Sequence, residues 1–400
     1  MKLSKQVRKW YAMYAVIFGY IALIVGALVL LFFQLNNPKG LSYDELNAIN
    51  SAHSVRQIID NPINAPYKLL HLVLNAFNVT DLYRLRAISA LFGLVTVTLL
   101  YFLIRSILSA KTAALAILLA LCSSWFLQYS RVAVPDISIA LALVTIPSIG
   151  LWLQRAKHMN WVFMFGIILF GLFLYIPSMI LLLPLLLLAT QQQLKQVTQG
   201  VSKLMYAAGV FLLILLLVPL VRSVVINPRL ILELIGLPIS FQPLELLKNI
   251  AIVPLSLFAY GFKNPAYNLG SLPLLDVFSA AIALLGLLYV ITRSELSAFK
   301  NIIWLILPYI LLVGFNSSVS IIALYPFVFI FVALGIHMLN SQWVNVFPLN
   351  PIAKTAGTTL IILAVILTSL YHLDRYFVAW RNAPPTKEIY SIQNYQNLLQ

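Results

Sequence analysis

Charge is what this chain has least of. Only 9% of its 400 residues are Asp, Glu, Lys or Arg, against roughly a quarter in an ordinary soluble domain. A soluble protein of this length would need about three times as many charges to cover its surface, so a water-soluble globular fold is excluded. Cysteine is almost absent. The single Cys122 lies inside an apolar run, so no disulfide and no thiolate metal cluster forms within the chain. Acids are fewer than bases, 11 against 26, which leaves a net charge of +15. The bases are scattered over loops, with no basic helix and no patch interleaved with aromatics, so nucleic acid is not an expected partner. The sequence also has no Walker loop, GxGxxG, GxSxG or CxxC, which removes the signatures of nucleotide-binding, α/β-hydrolase and dithiol chemistry.

What the chain has is apolar length. Residues of the hydrophobic class make up 62%, and they fall in runs such as Tyr14–Phe33, Ala87–Ile104 and Thr355–Leu373. A helix needs about 20 such residues to cross about 30 Å of hydrocarbon. Continuous runs do not fit the alternating pattern of a membrane barrel. The expectation is therefore an all-α integral membrane protein, a single polytopic domain over 1–400 with about eleven spans. These are placed at 12–33, 87–104, 112–127, 137–153, 161–175, 178–190, 204–221, 277–291, 302–315, 321–339 and 356–373. No small-residue cleavage site follows the first run, which is read as a retained span rather than a signal peptide.

Orientation follows from the bases. Lys2, Lys5, Arg8 and Lys9 precede the first span and put the N-terminus on the cytoplasmic side. The short loops expected on that side carry Arg105, Lys111, Arg155, Lys157, Lys195, Lys203, Arg293, Lys300 and Lys354, whereas Glu295 is the one acid there. Two long loops, 34–86 and 222–276, and the tail 374–400 then face outward. The amphipathic stretch Asn64–Asn75 in the first loop predicts a short interfacial helix. Pro228, Pro238, Pro243 and Pro254 divide the second loop into re-entrant or interfacial pieces. Loops this long in a compact protein are usually functional.

The outer side holds the candidate chemistry. Ser42-Tyr43-Asp44-Glu45 follows the first span. Adjacent carboxylates point in different directions and suit different jobs, one a general base and one a metal ligand or an acceptor-orienting group. The plain alternative is a solvated acid pair in which Asp44 caps the helix that follows. Tyr129-Ser130-Arg131 leads through Pro135 to Asp136. This is either a tight turn with a capping acid and a snorkelling arginine, or a second acid facing Asp44 with Arg131 held for an anion. Further outer cations are Lys68, Arg84, Arg86, Arg222, Arg229, Lys248 and Lys263, most of them expected to be interface anchors. Metal-ligand spacing is weak: His53 lies eight and nine residues from the acids. A divalent cation held by Asp44 or Glu45 with Asp136 is an open alternative, and no other cofactor is indicated. Tyr175-Ile176-Pro177-Ser178 reads as a tight hairpin only. Asn78-Val79-Thr80 and Asn316-Ser317-Ser318 match a glycosylation acceptor, a match common by chance.

Taken in order, these features resemble a known class. One span is followed by Tyr43-Asp44-Glu45, then Asn64-Ala65-Pro66-Tyr67-Lys68, then Arg84-Leu85-Arg86, then Tyr129-Ser130-Arg131 with Asp136. The pattern is similar to that of the GT-C membrane glycosyltransferases, nearest the protein O-mannosyltransferase and lipid A aminoarabinose transferase branch. It covers the first 190 residues or so, with Ala323-Leu324-Tyr325-Pro326-Phe327 resembling a late-span segment. The resemblance implies a hexosyl- or pentosyltransferase with a polyprenyl-phosphate sugar as donor and a lipid, glycan or protein as acceptor. It implies a working face outside the plasma (inner) membrane. Asp44 would be the base that deprotonates or positions the acceptor, Glu45 and Asp136 would support the cavity, and Lys68 and Arg131 would face the donor phosphate. The rival function is a transporter or flippase of lipid-linked glycans, which would place ionisable residues in mid-membrane.

Overall fold

The computed structural model describes residues 5–77, 81–156, 158–189, 195, 198–238, 243–293, 297–316 and 318–392. Lys2, Asn78-Val79-Thr80, Lys157, residues 239–242, Glu295, Ser317 and residues 393–400 lie outside them.

Among the described residues the long apolar runs of the sequence coincide with helix. The first is α1 (Lys5–Phe32); after it come three short helices, α2 (Tyr43–Asn50), α3 (Val55–Asp60) and α4 (Ala65–Ala76). Next are α5 (Leu82–Ile107), α6 (Ala110–Cys122), α7 (Ser124–Ser130), α8 (Ile137–Arg155), α9 (Met159–Phe173), α10 (Met179–Ala189) and α11 (Lys203–Ile226). The second long loop carries α12 (Leu230–Ile235) and α13 (Pro243–Phe258). The remainder is α14 (Val277–Thr292), α15 (Ser297–Gly314), α16 (Tyr325–Val346), α17 (Pro351–Asp374) and α18 (Pro384–Ile389). Among the described residues the β structure is an isolated bridge between Leu41 and Ile392. The chain is thus an all-α polytopic membrane protein.

Among the described residues, five helices are long and apolar enough to cross a membrane, or six if α6 and α7 form one broken span. Met159–Phe173 and Val277–Thr292 are apolar but shorter, and the apolar stretches Gly19–Phe32 and Ile303–Gly314 belong to the longer helices α1 and α15. Length among the described residues therefore does not confirm the expected eleven crossings. The expected span 112–127 is bent by 62° between α6 and α7. There Ser123 leaves helical geometry, at φ −52° and ψ 124°.

Burial orders the bundle. The most apolar window of the span that includes α16 is 89% buried, against 11% for α11, so α16 runs through the centre and α11 along the rim. Pro326 sits in the first turn of α16, where its missing N–H costs nothing. Contact between α14 and α16 is backbone to backbone. A Cβ on Gly286 would come 1.9 Å from the Phe331 carbonyl oxygen, and one on Gly335 2.0 Å from that of Ile282. Small residues allow such approach where helices cannot gain from the hydrophobic effect.

The loops and the tail gather at one end of the bundle. Asn64 adopts the left-handed region, φ 58°, which suits Asn, and starts α4. Its N–H donates to the Tyr175 carbonyl at 2.8 Å, and the Ser178 N–H donates to that of Leu234 at 2.7 Å. The Tyr175–Ser178 hairpin therefore ties the first long loop to the second. The tail folds back over both: Trp380 Nε1 donates to the Pro265 carbonyl at 2.9 Å and the Tyr390 hydroxyl to that of Ala266 at 3.2 Å.

Candidate active site

Ser42-Tyr43-Asp44-Glu45 is a capping box. The Glu45 N–H donates to Ser42 Oγ at 3.2 Å, and Glu45 Oε2 accepts from the Ser42 N–H at 3.0 Å. Ser42, not Asp44, is therefore the N-cap of α2. This corrects the capping role expected of Asp44 and explains why the two acids diverge.

Glu45 turns inward and is fully buried. Arg86 Nε donates to its Oε1 at 2.7 Å and Arg86 Nη2 to its Oε2 at 2.9 Å. The Ala133 N–H adds a bond to Oε1 at 2.8 Å. Arg86, also fully buried, donates its remaining protons to the carbonyls of Leu35, Pro38 and Gly40. One ion pair thus joins the end of α1, the start of α2, α5 and the segment before α8. Each charge has a partner and further hydrogen bonds, the condition under which a buried pair is tolerated.

Asp44 faces the opposite way, onto a cavity of about 550 Å³. Asp136, Lys68 and Glu233 line the same cavity, with Tyr129, Tyr267 and a set of Asn and Ser side chains. The Tyr267 hydroxyl donates to Asp44 Oδ2 at 3.3 Å, and its ring stacks on Tyr129 with centroids 4.6 Å apart and planes 7° from parallel. Burial holds the Tyr267 phenol well above its ordinary pKa, helped by the Asp136 charge, so the hydroxyl stays protonated and able to donate.

Asp136 stands at the N-cap position of α8, but its side chain makes no capping bond, which corrects the second capping expectation. Its backbone is already helical, at φ −53° and ψ −38°, which is not the extended geometry in which a cap side chain reaches back. Burial, and then the charge of Asp44, push its carboxyl up to about 7. Lys68 is buried on the cavity wall, one turn into α4, where Nζ donates to the Asn61 carbonyl at 2.9 Å. Burial lowers its ammonium to about 8, against the pull of the Glu233 charge.

The other expected residues lie elsewhere. Arg131 is buried, and its guanidinium donates to the carbonyls of Leu30 and Phe33 and to the Tyr376 hydroxyl, so it grips the end of α1 and does not line the cavity. Arg84, Arg222, Arg229, Lys248 and Lys263 are exposed and outside the lining. Among the described residues no three or more His, Cys, Asp and Glu come together as a metal group. Asp44 and Asp136 share a cavity, whereas both oxygens of Glu45 are taken up by Arg86 and two backbone N–H groups.

Two cavity residues carry the site without having been singled out from the sequence. Glu233 had a signal: it is a lone acid in Leu230–Ile235, an otherwise wholly apolar helix, and such acids are functional candidates by default. Tyr267 had none. It follows a turn in which Asn264 Oδ1 accepts from the Ala266 N–H, a local pattern that says nothing about a carboxylate 223 residues away.

Residues 60–221 match the family model of dolichyl-phosphate-mannose-protein mannosyltransferases, a stretch running from the end of α3 into α11. A search of curated proteins and one of solved structures found no match. The matched stretch includes Lys68, Arg86, Arg131 and Asp136, and overlaps the first 190 residues or so, whose pattern resembles the same class. That match, over less than half of the chain, and the helical membrane architecture support a membrane glycosyltransferase of the GT-C class that uses a polyprenyl-phosphate-linked sugar.

Proposed function

We propose that the chain transfers one sugar from a polyprenyl-phosphate carrier to a hydroxyl acceptor on a lipid, glycan or protein, at the outer face of the plasma (inner) membrane. Asp44 is the base. The supporting observation is that, of two adjacent carboxylates, one is consumed by a buried arginine and the other is held by the Tyr267 hydroxyl over a shared cavity.

Asp44 takes the acceptor proton as the acceptor oxygen bonds to the anomeric carbon. The bond from that carbon to the phosphate oxygen breaks, and the electron pair leaves with the polyprenyl phosphate. A positioned base is worth about 10²–10⁴ in rate. Lys68, which uses one donor on Asn61, has two left for the departing phosphate. Asp136, with its carboxyl near 7, is partly neutral at physiological pH, which reduces repulsion of an anionic donor. Arg131 anchors α1 and acts on the site only through the fold.

The test is to incubate purified protein with radiolabelled polyprenyl-phosphate sugars and score donor consumption for wild type and Asp44→Asn. Wild-type turnover that disappears in the variant supports the reading. Equal consumption by both proteins removes Asp44 as base. No turnover with any donor, together with movement of lipid-linked glycan across vesicles, favours the transporter instead.

A further inference from the structure

A second cavity, about 490 Å³, shares no lining residue with the first. Its walls are the segment just after α1, with Gln34 and Lys39, and the segment after α17, with Phe377, Arg381, Asn382 and Lys387. Three of these six side chains are cationic, and no acid lines the space. Asp374 and Glu388 are exposed and outside the lining.

Arg381 is the built element. It is 9% exposed, and its terminal nitrogens donate to the side-chain and backbone oxygens of Gln34, both at 2.9 Å. Its Nε has no acceptor. Its guanidinium lies 4.8 Å from the centroid of Phe377, and that of Arg131 lies 5.0 Å from the same centroid. Neither arginine has a carboxylate partner among the described residues, in contrast to Arg86. The result is a cluster of positive charge held by carbonyl oxygens and the Tyr376 hydroxyl, with no carboxylate among the described residues, beside two exposed lysines. The cavity opens one residue past Phe33, where the apolar run of α1 gives way to polar chain, and lipid phosphates lie at that depth.

We propose that this cavity binds a phosphate group, supplied by the headgroup of an anionic membrane lipid or by soluble phosphate. Lys39 and Lys387 reach the phosphate oxygens, Arg381 supplies the buried charge, and Phe377 walls the less polar part of the ligand. Occupancy bridges the segment after α1 to the tail that covers the site. The inference does not rest on glycosyl transfer.

The full chain in neutral detergent is titrated with phosphatidylglycerol, phosphatidylcholine or inorganic phosphate, and bound ligand is counted by native mass spectrometry. The variant is Lys39→Gln with Lys387→Gln, two exposed positions outside the first cavity. Phosphatidylglycerol should bind at least tenfold tighter than phosphatidylcholine. The double variant should lose roughly thirtyfold, about 1 kcal/mol for each lysine. Displacement of phosphatidylglycerol by inorganic phosphate also supports the site and identifies soluble phosphate as a source. Equal affinity for the two lipids, unchanged affinity in the double variant, or no binding of either phosphate source overturns the proposal.

Discussion

Truncating Glu45 separates architecture from chemistry in the acid pair. Glu45→Ala removes four hydrogen bonds, two from Arg86 and one each from the Ser42 and Ala133 N–H groups. It also leaves a guanidinium with no exposed surface facing carbonyls alone. Breaking a buried pair by removing one partner costs about 3–5 kcal/mol. At about 2 °C per kcal/mol for a large domain, the thermal midpoint in detergent should fall by about 6–10 °C. Turnover should fall too, because α2 then loses its capping box and Asp44 loses its register. Asp44→Asn should behave differently, since an asparagine still accepts from Tyr267. Its midpoint should stay within about 1 °C of wild type, while turnover drops about 10²–10⁴-fold. The informative companion is Arg86→Met with Glu45→Leu, which removes both charges and should recover most of the lost stability. Fluorescence-monitored melting of the four proteins, with donor consumption on the same samples, gives both readouts. A Glu45→Ala protein that melts with wild type would refute the architectural reasoning, whatever its activity.

Three further outcomes follow from the same geometry. Tyr267→Phe keeps the stack on Tyr129 but removes the donor to Asp44, so kcat should fall about fivefold at unchanged midpoint, one net hydrogen bond; a lowered midpoint with normal kcat would reassign Tyr267 to packing. The Asp136 carboxyl sits at about 7 when folded against 3.8 ordinarily, so the folded state holds its proton more tightly than the unfolded one. Its contribution to stability is full below about pH 4 and is lost as pH rises to about 7. Asp136→Asn should flatten the wild-type decline in melting midpoint between pH 5 and 7, and should be more stable above pH 7 by about 1–2 kcal/mol after screening. Gly335→Ala places a methyl 2.0 Å from the Ile282 carbonyl oxygen and should destabilise by about 1–3 kcal/mol or more, read as a lower midpoint; an unchanged midpoint would mean that α14 and α16 part without cost.

What the sequence determined by itself is whatever depends on local pattern. Few charges and long apolar runs forced helices through lipid, because no other open structure satisfies the backbone there. The run of acid, cation and turn residues from Asp44 to Asp136 was enough for the GT-C resemblance, and the family match to residues 60–221 agrees with it. The short helices of the first long loop were legible in the amphipathic stretch that became α4. Only tertiary structure decided which charges meet. Arg86 and Arg131 look alike in sequence as outer-side cations, yet one neutralises Glu45 and the other grips carbonyls of α1. Asp44 and Glu45 are neighbours in sequence, yet one is exposed to a cavity and the other has no exposed surface. The reason is physical. A charged side chain in a low-dielectric interior goes where a partner 41 residues away, or a carbonyl across the bundle, offsets its desolvation. That partner is set by how the helices pack, which a spacing in one chain segment does not contain.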